Sequence, residues 1–331
     1  MKITFFSSQP YDQQFFNRYN DSHGFELVFH EASLNEQTVA LIDSSEAVCV
    51  FVNDKITAEV CRQLAAKKVK IIALRCAGFN NVDLGAAKEN GLHVCRVPAY
   101  SPEAVAEHAL ALILTLNRKT HKAYNRVREQ NFSLNGLLGF NLHGKTVGVV
   151  GTGNIGKAFC RIMLGMGCRV LAFDLVANKD LEAIGVEYHP LIEVFKADII
   201  SLHCPLNDQT RHLISTETIG MMAKGVMLIN TSRGGLIDTK AVIEALKSGR
   251  IGYLGIDVYE QEEQLFFRDL TGKVIDDDII QRLMSFPNVL LTAHQAFFTD
   301  EALEQIATVT LNNIYQLGKN GILNNRAALL V

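Results

Sequence analysis

The sequence predicts an α/β protein made of two doubly wound parallel sheets, and three features of its 331 residues point there. Short apolar runs rich in β-branched and aromatic residues alternate with helical stretches, in two separate series. The second series opens on a strand followed at once by three glycines at fixed spacing. The length is also more than one hydrophobic core fills comfortably, which favours two domains.

The first series is KITFF (2–6), ELVF (26–29), AVCVF (47–51), KIIAL (70–74) and LHVC (92–95). Ser101, Pro102 and Glu103 then start a helical stretch, with a capping residue, a proline suited to the first turn and an acid at the positive helix end. This stretch predicts one long helix leading from the first domain to the second. The second series is TVGVV (146–150), RVLAF (169–173), DIISL (198–202), VMLIN (226–230), YLGID (253–257) and NVLLT (288–292), which predicts six more strands. A closing amphipathic helix follows, with apolar residues at Leu303, Ile306, Ala307, Leu311 and Ile314 and an expected stop at Gly318. Strand counting puts the domain boundaries near residues 100 and 296.

Composition narrows the function. With 32 basic and 35 acidic residues the net charge is −3, so nothing favours a nucleic-acid or membrane partner. The seven cysteines are odd in number, scattered and never spaced as CxxC, which argues against a disulfide framework or a zinc site. No signal-peptide segment and no membrane-span-length apolar run is present, and the expectation is a cytoplasmic protein without a metal.

The chemistry begins at GTGNIG. Gly151, Gly153 and Gly156 follow a strand and open a helix, the setting in which GxGxxG binds a dinucleotide. The first glycine allows a tight turn, the second lets pyrophosphate approach the backbone, and the third lets the helix pack on the strand. The second domain is therefore expected to be Rossmann-like. Asp174 ends the next strand, 23 residues after Gly151, where a carboxylate accepts from ribose hydroxyls and repels a 2′-phosphate. NAD is expected over NADP.

Three polar residues follow the ends of three other strands of this series: Arg233, an acid of the EQEE cluster, and His294. A lone histidine after an apolar run is more often a packed core residue. Here, however, ligands of parallel α/β sheets bind at the carboxyl ends of strands. Hydride transfer to a 2-keto acid needs a cation for the carboxylate, a proton donor for the developing alkoxide and an anion beside that donor. Arginine, histidine and glutamate supply these in turn, with Glu260, Glu262 and Glu263 all open as the anion. His203, past the strand at 198–202, is a weaker candidate that lines the cofactor cleft. His108, on the helical stretch from 101, reads as structural or as a residue at the domain interface.

Taken together, GTGNIG, Asp174, HCPLNDQTRHLI, NTSRGGLID, GIDVYEQE and TAHQAF resemble the D-isomer-specific 2-hydroxyacid dehydrogenase family over essentially the whole chain. FVND (51–54), RCAGFNNVDL (75–84), VPAYSPEAVAEHA (97–109) and the acidic stretch LFFRDLTGKVIDDDIIQRL are similar to its fermentative D-lactate dehydrogenases. The resemblance implies two Rossmann-like or flavodoxin-like domains with a cleft between them. Residues 1–100 plus 297–331 would form a discontinuous substrate-binding domain, and 101–296 the NAD-binding domain. It assigns Arg233, Glu262 and His294 as catalytic, and Ala77, Gly78, Tyr100 and Phe297 to the substrate. Cofactor contacts fall on Gly151, Gly153, Asn154, Ile155, Gly156, Asp174, His203, Cys204, Pro205, Thr231 and Asp257. A tyrosine that some members carry is Phe51 here.

The implied reaction is reduction of pyruvate to D-lactate by NADH, in a homo-oligomer. Glu262 argues against a formate dehydrogenase, where glutamine stands. The chain past residue 300 is short for the extra regulatory domain of many phosphoglycerate dehydrogenases. Two other readings stand beside this one, a broader 2-hydroxyacid dehydrogenase and an NAD(H)-sensing protein like the transcriptional corepressors of this fold.

Overall fold

All five strands of the first series form one parallel sheet: β1 (Lys2–Phe5), β2 (Glu26–Phe29), β3 (Ala47–Val50), β4 (Ile71–Leu74) and β5 (His93–Arg96), in the order β2-β1-β3-β4-β5. The computed structural model describes residues 1–331, apart from the side chain of Gln264. They divide into two units, Met1–Ser101 with Phe298–Val331, and Pro102–Phe297. In the first unit β3 and β4 are buried at every residue, as unbroken apolar runs in a covered parallel sheet should be. The strand order is that of a flavodoxin-like doubly wound sheet. Residues 328–331 pair with the open edge of β5, where Leu330 N donates to Val94 O at 2.8 Å.

The closing helix, Asp300–Asn320, lies in this unit and packs on β4 and on the helix Pro10–Tyr19. Thr299 caps it, and Asp300 and Glu301 sit at its positive end. It runs past the expected stop at Gly318 because the left-handed residue that closes it is Gly321, at φ 66°.

A dry ionic cluster gathers at the carboxyl ends of β1, β3 and β4. Arg75, 2% exposed, donates to Asp12 Oδ1 at 3.2 Å and Oδ2 at 3.3 Å, and to the carbonyls of Phe6 at 3.0 Å and Ser7 at 2.7 Å. Its guanidinium lies 4.9 Å from the centroid of Phe51. Asp54 is fully buried and accepts from Ser7 Oγ at 2.8 Å, Leu34 N at 2.6 Å and Phe51 N at 2.5 Å. Burial pushes the Asp54 carboxyl above its ordinary range, against the pull of Arg75.

The second unit carries a seven-stranded parallel sheet: β6 (Thr146–Val150), β7 (Arg169–Phe173), β8 (Glu187–Tyr188), β9 (Ile199–Leu202), β10 (Val226–Asn230), β11 (Ile251–Ile256) and β12 (Val289–Leu291). Its order is β12-β11-β10-β9-β6-β7-β8, a Rossmann-type arrangement whose direction reverses between β6 and β9. Six of these strands were expected. The extra one, β8, has two residues, too few to show a period. Helices Pro102–Arg118 and Asn154–Gly165 cover one face with an apolar cluster including Ile113, Val149, Phe159 and Met163. Helices Thr216–Met221, Thr239–Lys247 and Asp278–Met284 cover the other.

The long helix expected from residue 101 is two helices. Lys119, left-handed at φ 51°, separates Pro102–Arg118 from Thr120–Arg128. The end of the first is held elsewhere, because the Asn117 side chain bonds both the carbonyl and the amide of Phe140, at 2.7 and 2.8 Å. Among the described residues no helix is long and apolar enough to cross a membrane.

The Arg75 cluster gives a direct test of stability. Arg75→Met strands Asp12 and Asp54 in a dry interior and is expected to cost about 3–5 kcal/mol, read as a lowered denaturant midpoint of the first unit. A loss below about 1 kcal/mol would show that these acids take up protons or water at little cost.

Candidate active site

The reversal of strand order puts the β6 turn beside the segment after β9. Gly151, at φ 92°, donates its amide to Phe173 O at 2.8 Å. A Cβ on it would stand 2.7 Å from the backbone of His203 and Cys204, and one on Gly156 would strike the Gly151 carbonyl oxygen. Both positions therefore admit only glycine. Gly153 differs, since it is exposed and nothing lies within 4 Å of where its Cβ would be. It caps the twelve-residue helix Asn154–Gly165, whose first turn holds no acid. Asn154 and Ile155 are the first residues of that helix. An open glycine over a positive helix end fits the pyrophosphate of NAD.

Asp174, half-buried after β7, accepts from Thr152 N at 2.6 Å, Thr152 Oγ1 at 3.0 Å and Leu175 N at 2.7 Å. Tyr188 Oη donates to the same threonine hydroxyl at 2.9 Å. The carboxylate thus braces the glycine turn and keeps lone pairs for a ribose. Thr152 and Tyr188 were not anticipated, because their part depends on side-chain contact across β7 and β8.

His203 lies against Phe159, with ring centroids 4.8 Å apart, and hydrogen-bonds Ser201 Oγ at 2.9 Å. Burial holds its imidazole down to about 3, so it stays neutral and is no proton donor near pH 7. Its neighbour Cys204 is buried with its thiol pushed up to about 11 by burial, and its carbonyl accepts from Ser232 Oγ at 2.7 Å. Pro205 is exposed. Thr231 is 7% exposed and among the described residues its hydroxyl has no hydrogen-bond partner, so it suits a ligand amide or hydroxyl.

Arg233, Glu262 and His294 follow β10, β11 and β12, which are adjacent in the sheet. The arginine turn is pinned from two sides. Asn230 Nδ2 donates to Arg233 O at 2.9 Å, and a Cβ on Gly234 would run into the carbonyl of Tyr259. The guanidinium donates to Ser232 O at 2.7 Å and, among the described residues, has no carboxylate partner. A half-buried guanidinium without an anion is a ready carboxylate site.

Of the three glutamates, Glu262 is the one that meets the histidine. Its Oε1 stands 2.8 Å from His294 Nδ1 and its Oε2 accepts Tyr259 N at 2.9 Å. Glu260 is committed elsewhere, to His212 at 2.8 Å and to Thr239 N and Oγ1 at 3.0 and 2.5 Å. Glu263 is exposed. Because a carboxylate only accepts, Nδ1 carries a proton and Nε2 is left to exchange one with a ligand.

His294 is left-handed at φ 54°, a conformation costing of order 1 kcal/mol in a non-glycine residue. Asp257 maintains it. Its carbonyl accepts His294 N at 2.8 Å, while its carboxylate accepts Thr292 Oγ1 at 2.5 Å, Gln295 N at 2.9 Å and Ala296 N at 2.9 Å. His108 approaches the same pair, 3.0 Å from Thr292 Oγ1 and 3.4 Å from Asp257 Oδ1. Burial alone would raise the Asp257 carboxyl, but bonds from His108, Thr292 and Ala296 outweigh it and hold the group below the usual range. The resemblance places Asp257 among the cofactor contacts. In the structure its side chain is fully buried and its hydrogen bonds set the His294 turn.

One residue near the pair had no signal in the sequence. Phe267 places its ring 5.8 Å from the His294 imidazole, from a loop without periodicity. In the first unit, the loop after β4 holds Ala77 and Gly78. Ala77 O accepts from Arg96 at 2.7 Å and Gly78 O from Cys76 Sγ at 3.3 Å, while neither amide donates a hydrogen bond among the described residues. Tyr100 is half-buried in that unit, and Phe297 is buried at the end of the second.

Comparison with known proteins gives this geometry its context. Residues 110–296 match the NAD-binding domain of the D-isomer specific 2-hydroxyacid dehydrogenases. The chain is 52% identical to 2-hydroxyacid dehydrogenase homolog 1 of Schizosaccharomyces pombe, with 100% of this chain and 99% of that protein covered. It is likewise 52% identical to D-lactate dehydrogenase of Escherichia coli, with 96% and 97% covered. The apo structure of the Escherichia coli D-lactate dehydrogenase superposes with a TM-score of 0.91 at 50% identity, covering all of both chains. A D-lactate dehydrogenase from Aquifex aeolicus, solved with NAD and lactic acid, superposes at 0.86 with 35% identity, covering 99% of each chain. With its glycine turn, its second-unit sheet and its full-length relatives, this chain belongs to the NAD-dependent D-isomer-specific 2-hydroxyacid dehydrogenase family.

Proposed function

We propose that this enzyme is a D-lactate dehydrogenase that reduces pyruvate to D-lactate, reversibly, with NADH. The observation that carries the reading is an anion-free arginine on the loop beside a glutamate-paired histidine, at the same sheet edge as the glycine turn. Bound NADH supplies the hydride that reaches the keto carbon. Arg233 holds the pyruvate carboxylate with two parallel N–H bonds and fixes the carbonyl next to it. His294, protonated, gives the Nε2 proton to the keto oxygen as charge develops there. Glu262 keeps the ring oriented through Nδ1 and stabilises the imidazolium before the transfer. Lactate oxidation runs the same proton back to Nε2. His203, held neutral, takes no part in the transfer.

The remaining assignments rest on the family resemblance. The unit Met1–Ser101 with Phe298–Val331 is read as substrate-binding, with the amides of Ala77 and Gly78 donating to the carboxylate. Tyr100 and Phe297 would leave room for little beyond a methyl group on the third carbon. We also infer a cytoplasmic homo-oligomer. Its support is the run of exposed apolar side chains Tyr124, Val127, Phe132, Leu134 and Leu138, and seven cysteines that are all free thiols.

NADH oxidation measured over a panel of 2-keto acids, with product chirality, tests the assignment. Pyruvate is expected to give a higher kcat/KM than 2-ketoisocaproate, since a clash with a branched chain costs more than its extra methylenes gain. The product should be D-lactate alone. A preference for the branched acid overturns the substrate, and L-lactate overturns the stereochemistry.

Arg233→Lys should lower kcat/KM for pyruvate by roughly 100-fold while NADH affinity stays near wild type, because an ammonium cannot reproduce the planar fork. Unchanged turnover would show that another group holds the carboxylate. For the acid/base pair the sign is set by charge. Glu262→Gln removes the anion that favours the imidazolium, so His294 loses its proton at lower pH and the alkaline fall of pyruvate reduction should move down by about one pH unit. An unmoved alkaline limb would refute the coupling.

A further inference from the structure

Phe267 sits five residues past Glu262 and, like His294, holds a left-handed backbone, at φ 63°. Such strain in a bulky residue persists only where its surroundings enforce it. The enforcement is local. Glu262 begins a single 3-10 turn, Glu262–Gln264, and its carbonyl accepts the amides of Leu265 at 3.0 Å and Phe266 at 2.9 Å. Phe266, 4% exposed, then anchors the chain in the apolar cluster on that side of the sheet. The left-handed step that follows brings the next ring against His294, with centroids 5.8 Å apart and planes 38° to each other. One short turn therefore supplies two neighbours of the imidazole, the Glu262 carboxylate at Nδ1 and the tilted Phe267 ring beside it.

We propose that Phe267 is a positioning residue for the reduction, holding the His294 imidazole in its working orientation and favouring its protonated form. The inference rests on the reading of His294 as proton donor. A phenyl ring whose negative face lies within about 6 Å of a cation attracts it through its quadrupole. Such a ring therefore acts in the same direction as Glu262 while adding no charge. The ionisable groups around His294 are few. Glu262 pairs with it at 2.8 Å, Asp257 lies beneath its turn, and His108 stands behind Asp257 at 3.4 Å. Glu260, on the same loop as Glu262, is bound to His212 and Thr239. Arg233 belongs to the loop after the neighbouring strand β10. Replacing the ring by an apolar side chain adds and removes no charge among these groups.

The test uses Phe267→Leu and Phe267→Met, which keep an apolar side chain and lose the ring, with Phe267→Tyr as the conservative variant. The His294 imidazole is titrated by NMR in the cofactor-free full chain, and pyruvate reduction is followed against pH with NADH. In the Leu and Met variants the titration midpoint is expected to fall by about half a pH unit. The alkaline limb of the rate should fall with it and kcat should drop several-fold, with KM for NADH unchanged, while the Tyr variant returns all three towards wild type. A wild-type midpoint and limb in either ring-less variant that keeps a native NMR spectrum overturns the proposal. His294→Gln separates this from the parent reading. If that variant turns over pyruvate normally, the assignment of His294 as donor fails whatever Phe267 does to its titration.

Discussion

Asp257 lies with no solvent exposure beneath the turn that carries His294, and both of its oxygens are spent on residues 292, 295 and 296 of that turn. A carboxylate removed from water costs several kcal/mol unless donors surround it, and here they do. The same bonds offset the left-handed backbone of His294, so the turn is set by a buried acid rather than by its own preferences. The position of the imidazole relative to Glu262 follows from that.

The parallel sheet does the rest of the placement. Because β10, β11 and β12 are neighbours running the same way, the loops after them emerge about 4.8 Å apart at one edge, and three residues distant in sequence become adjacent. Four strand spacings separate β11 from β7, about 19 Å, and along that edge lie in turn the Glu262–His294 pair, Arg233, the glycine turn and Asp174. The reversal of order between β6 and β9 opens the crevice at the middle of this row. Close backbone approach then fixes the details, at Gly151 and Gly156 under the cofactor turn and at Gly234 behind Arg233. None of these three glycines could carry a side chain without moving backbone.

The first unit solves a different problem. Its switch point between β1 and β3 is filled by protein groups, Arg75 with Asp12 and Asp54, in place of a ligand. The guanidinium ties the β1 turn to the start of the loop that carries Ala77 and Gly78, which is anchored at Arg75 and Arg96, and among the described residues the two amides have no acceptor. An anchored loop with spare donors is preorganised for an anion.

The strands longer than two residues, the glycine turn, and Arg233, His294 and an acid of the EQEE cluster as candidates at strand ends were legible in the sequence, because each rests on a local rule. Buried strands read as short apolar runs, a dinucleotide turn needs glycines at set spacing, and hydride transfer to a keto acid needs a cation, an acid/base and an anion. Residues alone left Glu260, Glu262 and Glu263 equivalent, and only the family resemblance ranked them. Their separation is a matter of tertiary contact, since Glu260 turns to His212 and Thr239 while Glu262 reaches His294. The break at Lys119, the two-residue strand β8, the buried task of Asp257, the neutral state of His203 and the ring of Phe267 beside the imidazole belong to the same class. Each depends on which distant groups share a low-dielectric interior. That is decided by how helices and loops pack on the sheet, and no local pattern along the chain encodes it.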